Sequence, residues 1–458
     1  MGYTHRVKIL LTRPPRRDAR DAGLPVPPLG LAYVASALVE AGYDVDIFDA
    51  VGLGVGWEEF ERYIETTRPD MVGLGTMTPT ADIAYRAAKI VRPYTKWIVV
   101  GGPHATAVRA KIFTECNEID HLVIGEGEEV IAPYVKWLEQ GETGTPPDGV
   151  MTRSTSFREA KISRSIEDIA RPARHLLQGA EYRYLMATRR GFATIITSRG
   201  CPFRCTFCDK SISGSSWRAR NATDVVDEME ELSRGGVGFI NIYDDNFTLK
   251  RSRVVNICNE IIRRGLDIHW KCEGRVDGVD HALLKLMYLA GCRVVAYGVE
   301  SGNRESLLKL RKDVTIERVI QAFSETREAG LRTMAYAILG IPGETAKEVR
   351  QTTRFIKEIG ADYVQYSTLS ALPGTELGSD IEPVNVLSPV DSDLSRPTIT
   401  EIPARELSKL MRDAWRGFYF RPTPMWRIGR DAVNSGSVGE MMRLGGIMLN
   451  YQVSSKIR

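Results

Sequence analysis

Short apolar runs alternate with longer stretches whose apolar positions recur every three to four residues, and the alternation is kept along most of the chain. Val7–Leu11, Val45–Phe48, Met71–Leu74, Trp97–Val100 and Leu122–Ile124 are runs of the first kind and predict strands buried on both faces. Between them, Pro28–Gly42, Trp57–Thr67 and Ala81–Val91 carry helical spacing, and Gly42 supplies a stop for the first. Strands alternating with helices predict a parallel sheet covered on both sides, with ligands at the carboxyl ends of its strands. Residues 1–140 are therefore expected to form a doubly wound, Rossmann-like α/β domain.

From about Gly141 to Arg190 the periodicity weakens into sequence containing Gly, Pro and Ser, which predicts a linker over 141–190. A second series then begins at Phe192–Thr197. It continues with Phe239–Tyr243, His269–Cys272, Val294–Tyr297, Thr333–Leu339 and Tyr363–Thr368, with helical patterns between successive runs. Six such βα units over 191–374 predict a partial, open (β/α)6 barrel whose chemistry lies at the carboxyl ends of its strands. Beyond it, residues 375–458 read as a polar, Pro-rich connection followed by a small, mostly helical segment.

Composition refines this outline only slightly. With 458 residues and 43% hydrophobic content, the chain has material for two or three cores. No uninterrupted apolar segment has the length of a membrane span, and the polar start Met1–Arg6 lacks the apolar stretch of a signal peptide, so a cytoplasmic protein is expected. A net charge of +3 is too small to indicate a nucleic-acid partner. The stretch from Arg405 is more basic, but its charges are dispersed around Trp415, Phe418, Tyr419 and Trp426, which reads as a solvated helical face. Four of the seven cysteines, Cys116, Cys258, Cys272 and Cys292, are scattered through predicted elements and read as reduced core residues.

The other three alter the picture most. Cys201-Pro-Phe-Arg-Cys205-Thr-Phe-Cys208 directly follows the first barrel strand. Thiolates at such spacing converge on soft metals: zinc, copper(I) or an iron–sulfur cluster. Three are one short of a closed zinc site, and no fourth Cys or His lies nearby. A [4Fe–4S] cluster held by three thiolates leaves one iron open to a small molecule. A chance loop of buried cysteines is the plain alternative, and triplets of that kind are rare.

The C-x3-C-x2-C spacing, Phe207 before the last cysteine and the preceding strand resemble the signature of the radical S-adenosylmethionine (SAM) superfamily. The resemblance implies that Cys201, Cys205 and Cys208 hold a [4Fe–4S] cluster whose open iron chelates SAM. One electron from an external reductant such as flavodoxin or ferredoxin would then cleave SAM to a 5′-deoxyadenosyl radical. Polar groups at the later strand ends lie where the family contacts SAM: Asp244 and Asp245 for the amino group, Glu273 and Arg275 for polar contacts, Glu300 and Ser301 for the ribose, and Ile341 on the adenine side. Singly, each also reads as a helix cap, a turn or a salt bridge. Ala371–Glu376 reads as a structural turn.

Pro27–Tyr33, Pro69–Gly75, Gly101–Ala105 and Gly125–Glu128 resemble the cobalamin-binding domain fused to one branch of that superfamily. This implies a corrin lying against Gly101, Gly102 and Gly125, with Thr76 and Thr78 bonding its periphery. The loop Thr12–Ala22 lacks the histidine of the Asp-x-His-x-x-Gly pattern, so a bound cobalamin would lack that ligand; His104 is the one substitute, against a backbone-capping role. The domain also fits a scaffold that has lost its cofactor, because fold does not fix function. Cys116 alone does not supply the second cysteine triad of the methylthiotransferases, and no cysteine cluster follows Gly374.

The expected activity is radical hydrogen abstraction from an unactivated carbon of a small-molecule metabolite, serving cobalamin-dependent C-methylation. Cobalamin-independent dehydration, as of an aminoglycoside sugar, and oxidative cyclisation are the alternatives. Tyr336 and Tyr366 on late strands would be acids or hydrogen donors, although strand tyrosines commonly pack the core. A non-catalytic iron–sulfur carrier or sensor is the reading from another class; it has no need of the open iron or of the polar strand ends.

Overall fold

A computed structural model describes residues 6–17, 25–154, 157–161, 165–370, 372–378 and 399–450. Two compact units emerge, one formed chiefly by residues up to Tyr182 and the other chiefly by residues from Arg183 onward.

In the first unit β1 (Ile9–Arg13), β2 (Val45–Asp49), β3 (Met71–Gly75), β4 (Trp97–Gly101), β5 (His121–Val123) and β6 (Val150–Met151) form one sheet. Its order is β2-β1-β3-β4-β5-β6. The first five strands are parallel, and β6 runs antiparallel to β5. Side-chain alternation explains the nearly continuous apolar runs: Ile9 and Leu11 enter one core with Leu38 and Tyr134, while Leu10 enters the other with Phe60 and Ala88. β6 falls within the stretch expected to be linker. Two residues are too short to show a period, so nothing in their pattern marks them as a strand. Chain order reverses between β1 and β3, and crevices at such points take ligands in open parallel sheets. Of the predicted loop Thr12–Ala22, residues 18–22 lie outside the described residues.

The second unit begins with β7 (Phe192–Ile195). A short antiparallel pair, β8 (Ser198–Arg199) and β9 (Arg218–Ala219), follows, and the cysteine loop lies between its strands. Then come β10 (Phe239–Ile242), β11 (His269–Gly274), β12 (Cys292–Glu300), β13 (Arg332–Leu339) and β14 (Tyr363–Thr368). The main sheet runs β14-β13-β12-β11-β10-β7, all parallel and in chain order, as expected of an open half-barrel.

Capping sets where the intervening helices begin. Asn221 accepts the Asp224 amide at the start of Ala222–Arg234, and Thr345 and Glu348 form a capping box on Ala346–Glu358. The core between sheet and helices contains Trp270 edge-on to Phe247, with centroids 5.6 Å apart. Helices Ala404–Tyr419, Pro422–Ser435 and Val438–Asn450 complete the unit. Among the described residues no helix is long and apolar enough to cross a membrane.

Candidate functional site

Buried polar contacts pin the cysteine loop where β7 ends. The Asp244 carboxylate accepts the Thr197 amide and hydroxyl, each at 2.6 Å, and the Ser198 amide and hydroxyl at 3.0 and 2.6 Å. Four donors fill a carboxylate's acceptor sites, so Asp244 braces the loop. Its neighbour Asp245 is exposed and accepts the Gly200 amide at 2.7 Å. Arg253 adds a strut, donating to the carbonyls of Thr197 at 2.7 Å and Arg220 at 3.0 Å. Cys201 and Cys205 are half-buried, Phe207 likewise, and Cys208 is exposed.

Charge gathers around the middle cysteine. The Arg275 guanidinium lies 3.6 Å from the centroid of Phe203 and is clamped to Asp277 by two bonds of 2.9 Å. At the end of β12 a bulge places Glu300 at φ 60°, and its carboxylate pairs with Lys312 at 2.7 Å, both groups buried. Gly298 makes this possible, because a Cβ there would occupy the space of the carboxylate and ammonium. Burial pushes the Cys205 thiol upward, opposed first by Lys312 and then by Arg275. Lys312 was not among the residues predicted from sequence.

Two other expected SAM contacts are bonded within the protein. Ser301 is fully buried, and its hydroxyl meets Glu344, Thr352 and the Asn303 amide at 3.0–3.3 Å. Ile341 is also fully buried; its amide donates to Glu344 at 3.1 Å and its carbonyl accepts from the Glu344 amide at 2.9 Å. Both belong to a brace centred on Glu344.

Inside the half-barrel, β11 places Lys271 and Glu273 on the face opposite Trp270 and Cys272. The fully buried Lys271 ammonium pairs with Glu273 and donates to Asn241 at 3.3 Å; Tyr336 donates to the same Glu273 oxygen at 3.1 Å. Burial alone would lower the lysine pKa, but Glu273, then Tyr336 and Tyr243, outweigh it and keep the group charged. Burial pushes Tyr336 well up, a phenol that holds its proton. The buried Asn241 Nδ2 has no hydrogen-bond partner among the described residues. Tyr366 lies on the other face, edge-on to Trp415 at 5.9 Å with its buried hydroxyl unbonded, and is therefore core and not an acid or donor of the barrel interior.

At the carboxyl edge of the first sheet the polar side chains are closed on one another. Thr76 donates from its amide and hydroxyl to the Gly101 carbonyl at 2.8 and 2.9 Å. Fully buried His104 meets Thr78 and Tyr85 at 3.1 Å each, and Tyr85 donates to Glu115 at 2.8 Å. Burial holds the imidazole down to about 4, so it is neutral with both nitrogens engaged. Both ring nitrogens meet side chains and not backbone, and Thr76 and Thr78 have their hydroxyls turned to the protein. Of the edge glycines, Gly125 has nothing within 4 Å of a Cβ position, whereas Gly102, at φ 101°, packs against the Thr76 carbonyl, which a Cβ would strike at 2.7 Å.

Residues 195–356 match the radical SAM superfamily model, and residues 18–134 match the B12 binding domain. An uncharacterized methyltransferase of Pyrococcus horikoshii is 32% identical over 91% of this chain and 93% of its own length. The anaerobic magnesium-protoporphyrin IX monomethyl ester cyclase of Rubrivivax gelatinosus is 30% identical over 80% and 69%. The chain belongs to the radical SAM superfamily. Its fold is shared with the methyltransferase TsrM of Kitasatospora setae (TM-score 0.68, 19% identity, 96% of this chain and 88% of that one). The cobalamin-dependent radical SAM enzyme OxsB aligns at TM-score 0.74 and 17% identity over 97% and 72%.

Membership in the radical SAM superfamily brings a [4Fe–4S] cluster and SAM as cofactors, and the B12 binding domain brings cobalamin. The three loop cysteines fit a cluster: none is in a disulfide, and cations stand beside Cys205. Among the described residues no three His, Cys, Asp or Glu side chains converge on one ion. A cubane bonds each thiolate to a different iron, so its ligands stand further apart than those of a single ion. The glycine backbone at the first sheet's edge fits the close approach of a flat macrocycle.

Proposed function

We propose that this radical SAM enzyme transfers a methyl group to an unactivated carbon of a small or medium-sized metabolite, using cobalamin. The observation that carries the reading is the pairing of a B12 binding match with a radical SAM match, in a chain similar over nearly its whole length to a protein named as a methyltransferase. When bound, the cluster and SAM supply a carbon-centred radical for hydrogen abstraction, and cobalamin supplies the methyl group.

The chain's own residues hold and orient. Cys201, Cys205 and Cys208 hold the cluster on a loop that Asp244 and Arg253 keep in place. Asp245 offers a solvent-facing carboxylate to the SAM amino group, and Glu300, braced by Lys312, offers acceptors to the ribose hydroxyls. Arg275 keeps Phe203 and the loop against the barrel rim. Glu273 and Tyr336 project polar atoms into the interior, where a substrate is held against the radical. Gly101, Gly102 and Gly125 present backbone to the corrin. The electron comes from an external flavodoxin- or ferredoxin-type reductant in the cytoplasm.

Anaerobic reconstitution with iron, sulfide and hydroxocobalamin, then gel filtration with cobalt analysis of the protein peak, tests the reading. One cobalt per chain beside cluster absorption is expected; cluster absorption without cobalt overturns methyl transfer by this route. Oxidative cyclisation is the second reading, favoured by the similarity to the Rubrivivax cyclase. Transfer of label from methyl-labelled SAM to product separates the two.

A further inference from the structure

Residues 310–314 form a turn whose middle residue is held at the expense of its neighbours. Arg311 at φ 48° and Asp313 at φ 53° both occupy the left-handed region, which residues with a side chain adopt at a cost. Between them Lys312 is only 7% exposed, with its ammonium 2.7 Å from the Glu300 carboxylate. Glu300 is itself at φ 60°. Three strained residues around one buried ion pair mark a geometry kept for what it presents.

The turn also grips the cysteine loop. Its Leu310 carbonyl accepts the Thr206 amide at 3.1 Å, next to Cys205, and the Lys309 carbonyl accepts the Thr206 hydroxyl at 3.4 Å. On the other side, the Lys312 carbonyl accepts from Arg275 at 3.0 Å, and Arg275 lies over Phe203. The backbone around Lys312 is thus tied to both flanks of Cys205.

Resting on the assignment of the cluster to Cys201, Cys205 and Cys208, we propose that Lys312 is a positioning residue that raises the cluster's reduction potential, with Glu300 as its partial counterweight. Reduction adds one electron, donated by the external reductant, and no bond in the protein breaks. A cation held in a partly buried site favours the reduced cluster, and net charge around the sulfurs is one of the terms that sets such potentials. The strained turn holds the ammonium at a fixed distance, where a solvent-exposed lysine would be screened.

The test is a potentiometric titration of the full-length, anaerobically reconstituted chain without SAM, followed by electron paramagnetic resonance of the reduced cluster. Iron, sulfide and absorption are measured on every sample. Lys312→Met is expected to move the midpoint to more negative potential, Lys312→Arg to restore it, and Glu300→Gln to move it positive. The double variant K312M/E300Q should fall between the two single neutralising changes. Should Lys312→Met lose its cluster, Glu300→Gln carries the test. Loaded variants whose midpoints equal the wild type overturn the role of Lys312; a wild-type chain that takes up no cluster overturns the cluster assignment itself.

Discussion

The carboxyl edges of the two parallel sheets treat their polar side chains in opposite ways. In the first unit Thr76, Thr78, His104, Tyr85 and Glu115 close on one another or on backbone, leaving the Gly125 backbone open. In the second unit the strand ends and the barrel interior retain buried charges, Lys312 with Glu300 and Lys271 with Glu273, beside a loop of three thiols. A closed edge, whose buried ion pair, Arg13 with Asp49 at 2.6 Å, is fully matched, suits a broad ligand that rests on backbone. Buried charges with incomplete partners suit chemistry focused on a few atoms, because low dielectric strengthens whatever they touch.

The sharpest way to break this comparison is Cys205→Ser. It should abolish cluster absorption and SAM cleavage while leaving cobalt uptake intact, as read by iron and cobalt analysis of one reconstituted sample. Loss of cobalt as well would mean that the first unit's site depends on the second.

Buried charge predicts the next largest effect. Lys271→Met leaves Glu273 with only the Tyr336 hydroxyl and should cost about 3 kcal/mol in denaturant unfolding. A cost near that of an ordinary surface substitution would show that the interior is wetter than its burial indicates.

The closed edge carries its own signature in pH. His104 is held down to about 4 from an ordinary 6.5, so the unfolded chain binds the extra proton as pH falls through that window. Stability is therefore complete above 6.5 and lost toward 4, by about 2 kcal/mol between pH 8 and pH 5. His104→Gln should flatten that slope; an unchanged slope would place the titration elsewhere.

The two late tyrosines give the smallest and most discriminating contrast. Tyr336→Phe removes a bond to Glu273 and should cost about 1 kcal/mol and impair turnover. Tyr366→Phe removes a hydroxyl that bonds to nothing and should be neutral to within about 0.5 kcal/mol, with activity retained. Equal effects on turnover would return Tyr366 to the candidate acids.

Much of the fold was legible because strand and helix periods are local. Trp57–Thr67, Ala81–Val91 and Tyr363–Thr368 match their predicted limits, and other strands differ by a few residues at their ends. The cysteine loop was legible for the same reason, since its three thiols lie within eight residues. The polar residues at the strand ends were harder. Asp244, Ser301 and Ile341 stand at ligand-facing positions in sequence, yet each is bonded to a partner 3 to 51 residues away. For Asp244 and Ser301, whose partners lie 47 and 51 residues away, no pattern in the neighbouring residues announces them.

By itself the sequence determined two α/β series, their helical covers and a thiol loop after the first barrel strand, because each depends on neighbours within a turn or a strand. Tertiary structure alone decided which polar groups remain available. In the β13–β14 register Tyr336 pairs with Gln365 and Ala337 with Tyr366, so one tyrosine faces the interior and the other the helices. A shift of one residue would exchange those faces. Lys312 became visible only when the bulge at Glu300 and the strained turn brought two charges together across 12 residues of chain. Local pattern settles which way the backbone runs; the pairing of distant strands and turns settles what its charges meet.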